Sequence, residues 1–119
     1  PTPPARPGTA GPLDPILVER VREALGRRPG VTGRQMFGGV AFMIRGTMCC
    51  GVVGRDLMVR VGPRYYEDAL GRPGARPMDF TGRPLRGFVY VGGEWVAGER
   101  ELAAWIDRGL RFAESLAAK

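Results

Sequence analysis

Residues 39–61 read GVAFMIRGTMCCGVVGRDLMVRV. Val40, Phe42 and Ile44 alternate with Ala41, Met43 and Arg45, the period-two pattern of a strand with two unlike faces. Gly46-Thr47 predicts a tight turn into a second strand, Met48 to Val53. Gly54-Arg55-Asp56 predicts another turn, after which Leu57, Val59 and Val61 alternate with Met58 and Arg60. Strands joined by turns this short pair antiparallel, so the stretch predicts a meander. Upstream, Gln35 to Phe37 predicts one more short strand, with a bulge or bend at Gly38-Gly39.

On the N-terminal side, Asp14 is a good N-cap and Pro15 suits a first helical position, where its missing N–H is not needed. Leu17, Val18, Val21, Ala24 and Leu25 then form one apolar stripe, and Gly26 ends the helix. Residues 1–12, PTPPARPGTAGP, carry almost nothing apolar and predict a disordered tail ahead of a single domain over 13–119. On the C-terminal side, Gly62-Pro63 opens a short helix that turns Tyr66, Ala69 and Leu70 inward. Residues 72–86, with their prolines and glycines, read as a loop, followed by a last strand at Phe88 to Val91. A final helix from Glu99 has the stripe Leu102, Trp105, Ile106, Gly109, Ala113, Leu116, in which Gly109 implies a close approach to the sheet. The expected class is α+β, with an antiparallel sheet covered on one face by the first and last helices. Met36, Met43 and Met58 fall on the opposite face, a candidate interaction face that a second copy of the chain would cover as a homodimer.

The chain has 119 residues and a net charge of +6, which sets the size at one domain and raises the question of an anionic partner. Seventeen of the 18 basic residues are Arg, in a composition dominated by Ala, Gly, Arg and Pro, so codon supply explains part of the excess. No signal peptide or membrane span is legible, and a cytoplasmic location is expected. The adjacent Cys49 and Cys50 should point to opposite faces of their strand and serve as small buried residues, with a redox pair as the other reading. With no His and only these two Cys, the usual zinc ligand sets cannot be assembled; neither a metal nor a cofactor is expected.

Several segments together resemble one family. Met36-Phe37-Gly38-Gly39, the Met-Cys-Cys-Gly run at 48–51, Asp56-Leu57 leading into Val59-Arg60-Val61, the run Pro77 to Pro84, and Trp105 are similar, in that order, to the N-terminal domain of the TfoX/Sxy competence regulators. The resemblance spans residues 13–117. It implies a fold related to secretion chaperones, in the order α-β-β-β(β)-α-β-α. It also implies a regulatory setting, since full-length members promote expression of competence genes alongside a cyclic-AMP receptor protein. It supplies no catalytic residues.

Three function classes remain to be weighed. Catalysis lacks its usual parts: there is no His, Ser115 is the single Ser, and Asp56, Asp68 and Asp79 each lie near Arg residues, as solvated or capping carboxylates do. The expectation is that the chain is not an enzyme. Nucleic-acid binding has Arg72, Arg76, Arg83 and Arg86 on the 72–86 segment as candidate phosphate contacts. A protein-interaction module has the methionine face and an exposed Trp95. The last is the preferred expectation.

Overall fold

The computed structural model describes residues 12–26, 28–36, 38–79 and 84–117. Its elements in chain order are α1 (Pro15–Leu25), β1 (Val31–Met36), β2 (Gly39–Ile44), β3 (Thr47–Val53), β4 (Asp56–Arg60), α2 (Tyr66–Leu70), β5 (Ala75–Asp79), β6 (Pro84–Gly92), one turn of 3-10 helix (Gly93–Val96) and α3 (Glu99–Ala117). The six strands form one antiparallel sheet in the order β1-β2-β3-β4-β6-β5. The expected α+β class and the meander are borne out. No described helix is long and apolar enough to cross a membrane.

Local chemistry fixes the ends of these elements. The Asp14 carboxylate accepts from the Ile16 and Leu17 amides at 2.9 and 3.3 Å, capping α1. The Asp14 amide in turn donates to the Gly54 carbonyl at 2.9 Å, which ties the start of α1 to the β3–β4 turn. The β2–β3 turn is Arg45-Gly46, with φ of 51° and 84°. Two positive φ values in a two-residue hairpin make it a type I′ turn, whose twist matches the strands it joins. α1 and α3 cover one face of the sheet: Leu17, Val21 and Leu25 meet Phe42, Val52, Leu57 and Val91, with Trp105, Ile106 and Leu110 in the same core.

The structure corrects four details of the sequence reading. The 72–86 segment is not one loop: Ala75–Asp79 is a strand paired with β6, and β6 itself begins at Pro84. Pro77 obscured this, but β5 lies at the sheet edge, where a missing N–H is tolerated, and Met78 anchors it at 2 % exposure. β1 starts at Val31, earlier than its sparse apolar pattern suggested, because an edge strand with residues 32–35 exposed has little to bury. Phe37 and the first eleven residues of the expected tail fall outside the described residues. Gly38-Gly39 closes the β1–β2 hairpin instead of interrupting a strand, with Met36 paired to Gly39.

The fourth correction concerns the cysteines. Phe42 pairs with Cys50 and Met43 with Met48, which leaves Cys49 as the extra residue of a β-bulge. Alternation therefore breaks at this point, and both cysteines lie in the helix-side core, each fully buried. A hydrogen bond with Cys49, together with burial, pushes the Cys50 thiol well above its ordinary pKa. The sheet's second face carries a smaller core of its own: Val53, Met58, Met78 and Tyr90, with Met48 and Phe88 packed against it. Met58, expected on an interaction face, is 1 % exposed, so the chain already buries it without a partner.

α3 meets β3 at the bulge. A Cβ on Gly109 would stand 2.5 Å from the Cys49 carbonyl oxygen and 3.1 Å from its sulfur, closer than packed atoms approach. Gly109→Ala gains helix propensity of up to about 1 kcal/mol. The overlap is with backbone, which cannot rotate away, and overpacking of this kind costs about 1–3 kcal/mol. The expected net result is a lower urea midpoint; a variant as stable as wild type would show that the close approach is not a constraint.

Candidate functional site

β4 leads into a turn whose shape depends on two glycines. The Val61 and Gly62 amides both donate to the Gly87 carbonyl, at 2.8 and 3.1 Å, so the turn after β4 is fastened to β6. Gly62 has φ 86° and lies directly under the Phe112 ring, in space that a Cβ would need. Phe112 projects from the C-terminal half of α3, so this contact sets the 62–65 turn against that helix. Between them lies a cleft of about 790 Å³, lined by Pro63, Arg64, Tyr65, Asp68, Arg108, Arg111 and Phe112 among others.

The charges in and beside the cleft fall into two groups. Arg108 donates to Asp68 at 2.9 Å and lies over the Trp105 ring at 5.3 Å. Arg111 pairs with Asp107 one turn away, at 2.7 Å. Arg60 and Arg64 are held differently. Arg60 lies 5.4 Å from the Phe88 ring centre and 5.0 Å from that of Phe112, while Arg64 lies 5.5 Å from that of Tyr65. Among the described residues neither forms an ion pair with a carboxylate. These two guanidiniums keep their hydrogen-bonding forks free beside an apolar floor. Tyr65 is 53 % exposed on the same rim.

The four arginines proposed as phosphate contacts are not gathered into one grip. Arg76 pairs with Asp56 at 2.8 Å across the sheet from β5 to β4. Arg72 reaches Asp68 at 4.0 Å, and Arg86 reaches Glu67 at 3.5 Å while lying over Tyr66. Arg83 lies outside the described residues. Of the methionine face, Met58 is core, Met43 is half-buried, and the backbone of Met36 closes the β1–β2 hairpin. Trp95 is 48 % exposed and sits over Gly74, where a Cβ would collide with the indole. Ser115 donates its hydroxyl to the Phe112 carbonyl at 2.7 Å. Among the described residues no group of three His, Cys, Asp or Glu side chains could hold a metal.

In the sequence Arg60 and Arg64 lie more than forty residues before Arg108 and Arg111, and composition alone does not join them. The joining signal is the i, i+3, i+4 spacing of Arg108, Arg111 and Phe112, which puts them on one helix face. The Gly62-Pro63 pair then marks where the opposing turn must come close.

The Arg108 guanidinium beside it, by hydrogen bond first and by charge, holds the Asp68 carboxyl below its ordinary pKa, with Arg72 adding to the effect. A depressed carboxylate contributes stability that is present above its unfolded value and is lost as pH falls through the folded one. Arg108→Ala should raise the Asp68 pKa toward normal in a carboxyl-detected NMR titration. An unmoved titration would show that the pair does not persist in solution.

Comparison with known proteins accords with this architecture. Among curated proteins nothing matches the chain. The model of the TfoX N-terminal domain family matches residues 23–113, from the middle of α1 to the last turns of α3. This match takes in all six strands and the cleft's lining except Ser115, and the chain belongs to the TfoX N-terminal domain family.

Proposed function

We propose that this domain is a non-enzymatic regulatory module that works by binding a protein, docking an acidic segment with an aromatic or aliphatic side chain in the cleft between the 62–65 turn and α3. The observation that carries the reading is the pair Arg60 and Arg64, held on aromatic rings and left without carboxylates, beside the apolar surface of Phe112 and Tyr65. A partner carboxylate completes these forks, and an apolar side chain fills the floor between them. The net charge of +6 would steer such a partner toward the domain. The link of the TfoX/Sxy family with competence-gene expression supports a setting in transcription regulation. Absence of His, with the one Ser hydroxyl engaged by a backbone carbonyl, supports a role without catalysis.

Nucleic-acid binding through the 72–86 segment is the weaker reading, because Arg72, Arg76 and Arg86 each face a carboxylate of the chain. Phosphate binding there would have to displace those carboxylates, which offsets part of the gain from releasing counterions. The two readings separate in one experiment. A fluorescent peptide of alternating Glu and Tyr and a labelled DNA duplex are titrated by anisotropy at low and near-physiological salt. The peptide should bind at both, and Arg64→Glu should weaken it about fivefold. Duplex binding that survives the higher salt, with peptide binding unaffected by Arg64→Glu, would overturn the proposal.

A further inference from the structure

The two edges of the sheet differ in their capacity to add another strand. β5 is disarmed: Pro77 has no N–H to offer, and the pairing shifts register between Pro77 and Asp79. β1 has neither device. Its six residues pair with β2 in unbroken register, Val31 with Ile44 through Met36 with Gly39, and residues 32–35 are exposed on both faces. It carries no proline and no bulge.

The direction of its free hydrogen-bonding groups follows from the hairpin. The Arg45 amide donates to the Gly30 carbonyl at 2.9 Å, and the loop between Met36 and Gly39 has two residues. Both facts set the same phase of the antiparallel ladder: Thr32, Arg34 and Met36 bond inward to β2. Val31, Gly33 and Gln35 therefore aim their N–H and C=O groups away from the sheet. The Val31 amide points to the Arg28 carbonyl at 3.4 Å, as this phase requires, which leaves Gly33 and Gln35 with both groups open to a new strand.

We infer that β1 is the homodimer interface, pairing antiparallel with β1 of a second copy about a two-fold axis at Gly33. Self-complementarity selects this occupant. Gly33 meets the partner's Gly33 in a reciprocal hydrogen-bonded pair, and Val31 meets the partner's Gln35. Thr32 then stands opposite the partner's Arg34 in both halves, so the lone charge of the strand never faces its like. A two-fold perpendicular to the sheet keeps the helices of both copies on the same side and leaves both clefts open. The methionine face plays no part, in agreement with the burial of Met58.

The geometry supplies a selective test. Because the Gly33 N–H points outward, Gly33→Pro removes the intermolecular bond without touching the β1–β2 ladder. A Cβ there meets the Phe42 ring at 3.5 Å and Arg22 Nη1 at 3.6 Å, ordinary contacts that leave the fold intact. By light scattering, wild type should have twice the 12.9 kDa chain mass, and Gly33→Pro should have half the mass of wild type. Register is read independently from oxidative crosslinking. Thr32 and the partner's Arg34 form a non-hydrogen-bonded pair with Cα atoms about 4.5 Å apart, within disulfide reach, whereas the side chains of residues 32 and 34 of one strand run parallel with Cβ atoms roughly 6.6 Å apart, beyond the separation of about 3.5–4.5 Å that a disulfide needs. The double variant Thr32→Cys/Arg34→Cys should crosslink to a dimer on a non-reducing gel, and each single variant should not; Cys49 and Cys50 are fully buried and should not contribute. A monomeric wild type would overturn the inference and leave the edge to an extended segment of another protein. A Gly33→Pro dimer, or single variants that crosslink as well as the double, would overturn the interface.

Discussion

Gly109 determines how near α3 can lie to the sheet, and most of the molecule follows from that distance. With only a hydrogen facing the bulge at Cys49, the helix approaches until its backbone meets that of β3. At that spacing Trp105, Ile106, Leu110 and Ala113 reach the sheet side chains and close the main core with α1. The same approach brings Phe112 down onto Gly62, where again a missing Cβ makes the room. The cleft between the 62–65 turn and α3 is the space left over once those two contacts are made. A helix held further out would lose both the core and the cleft, which is why one residue without a side chain carries so much of the structure.

The distribution of charge follows from the same frame. Seven ion pairs are formed among the described residues; one, Arg22 with Glu19, lies within α1, and the other six involve α2, α3 or the β4–β6 strands. Arg60 and Arg64 are different because their neighbours at the end of β4 are rings and not carboxylates. Aromatic faces hold a guanidinium in place while leaving its N–H groups unspent, so these two positions combine order with unsatisfied bonding capacity. Half of the described arginines thus sit in ion pairs, and at Arg60 and Arg64 two of the others are fixed on aromatic rings beside the cleft.

Much of the fold was legible because its signals are local. Alternation through residues 39–61, the cap at Asp14 and the stripe on the last helix are each written within a few residues. What escaped depended on neighbours distant in sequence. β5 carries a proline that reads as loop, and only its place at the edge, with Met78 buried beneath it, makes it a strand. The two cysteines were expected on opposite faces because alternation holds in a regular strand; the bulge that unites them is a property of the pairing with β2 and leaves no mark on β3 alone. Met58 reads as a surface methionine until Val53, Met78 and Tyr90 are seen around it. The arginines of 72–86 read as one patch because they are close in sequence, yet the hairpin sends Arg76 to β4 and Arg72 and Arg86 to α2.

The proposed partner surface is the rim at Arg60 and Arg64. Amide NMR shifts followed during titration with an acidic, aromatic peptide test this most directly. Perturbations clustered at Arg60, Arg64, Tyr65, Arg108, Arg111 and Phe112 are the predicted result. Perturbations confined to Arg72, Arg76 and Arg86, with the cleft silent, would contradict it.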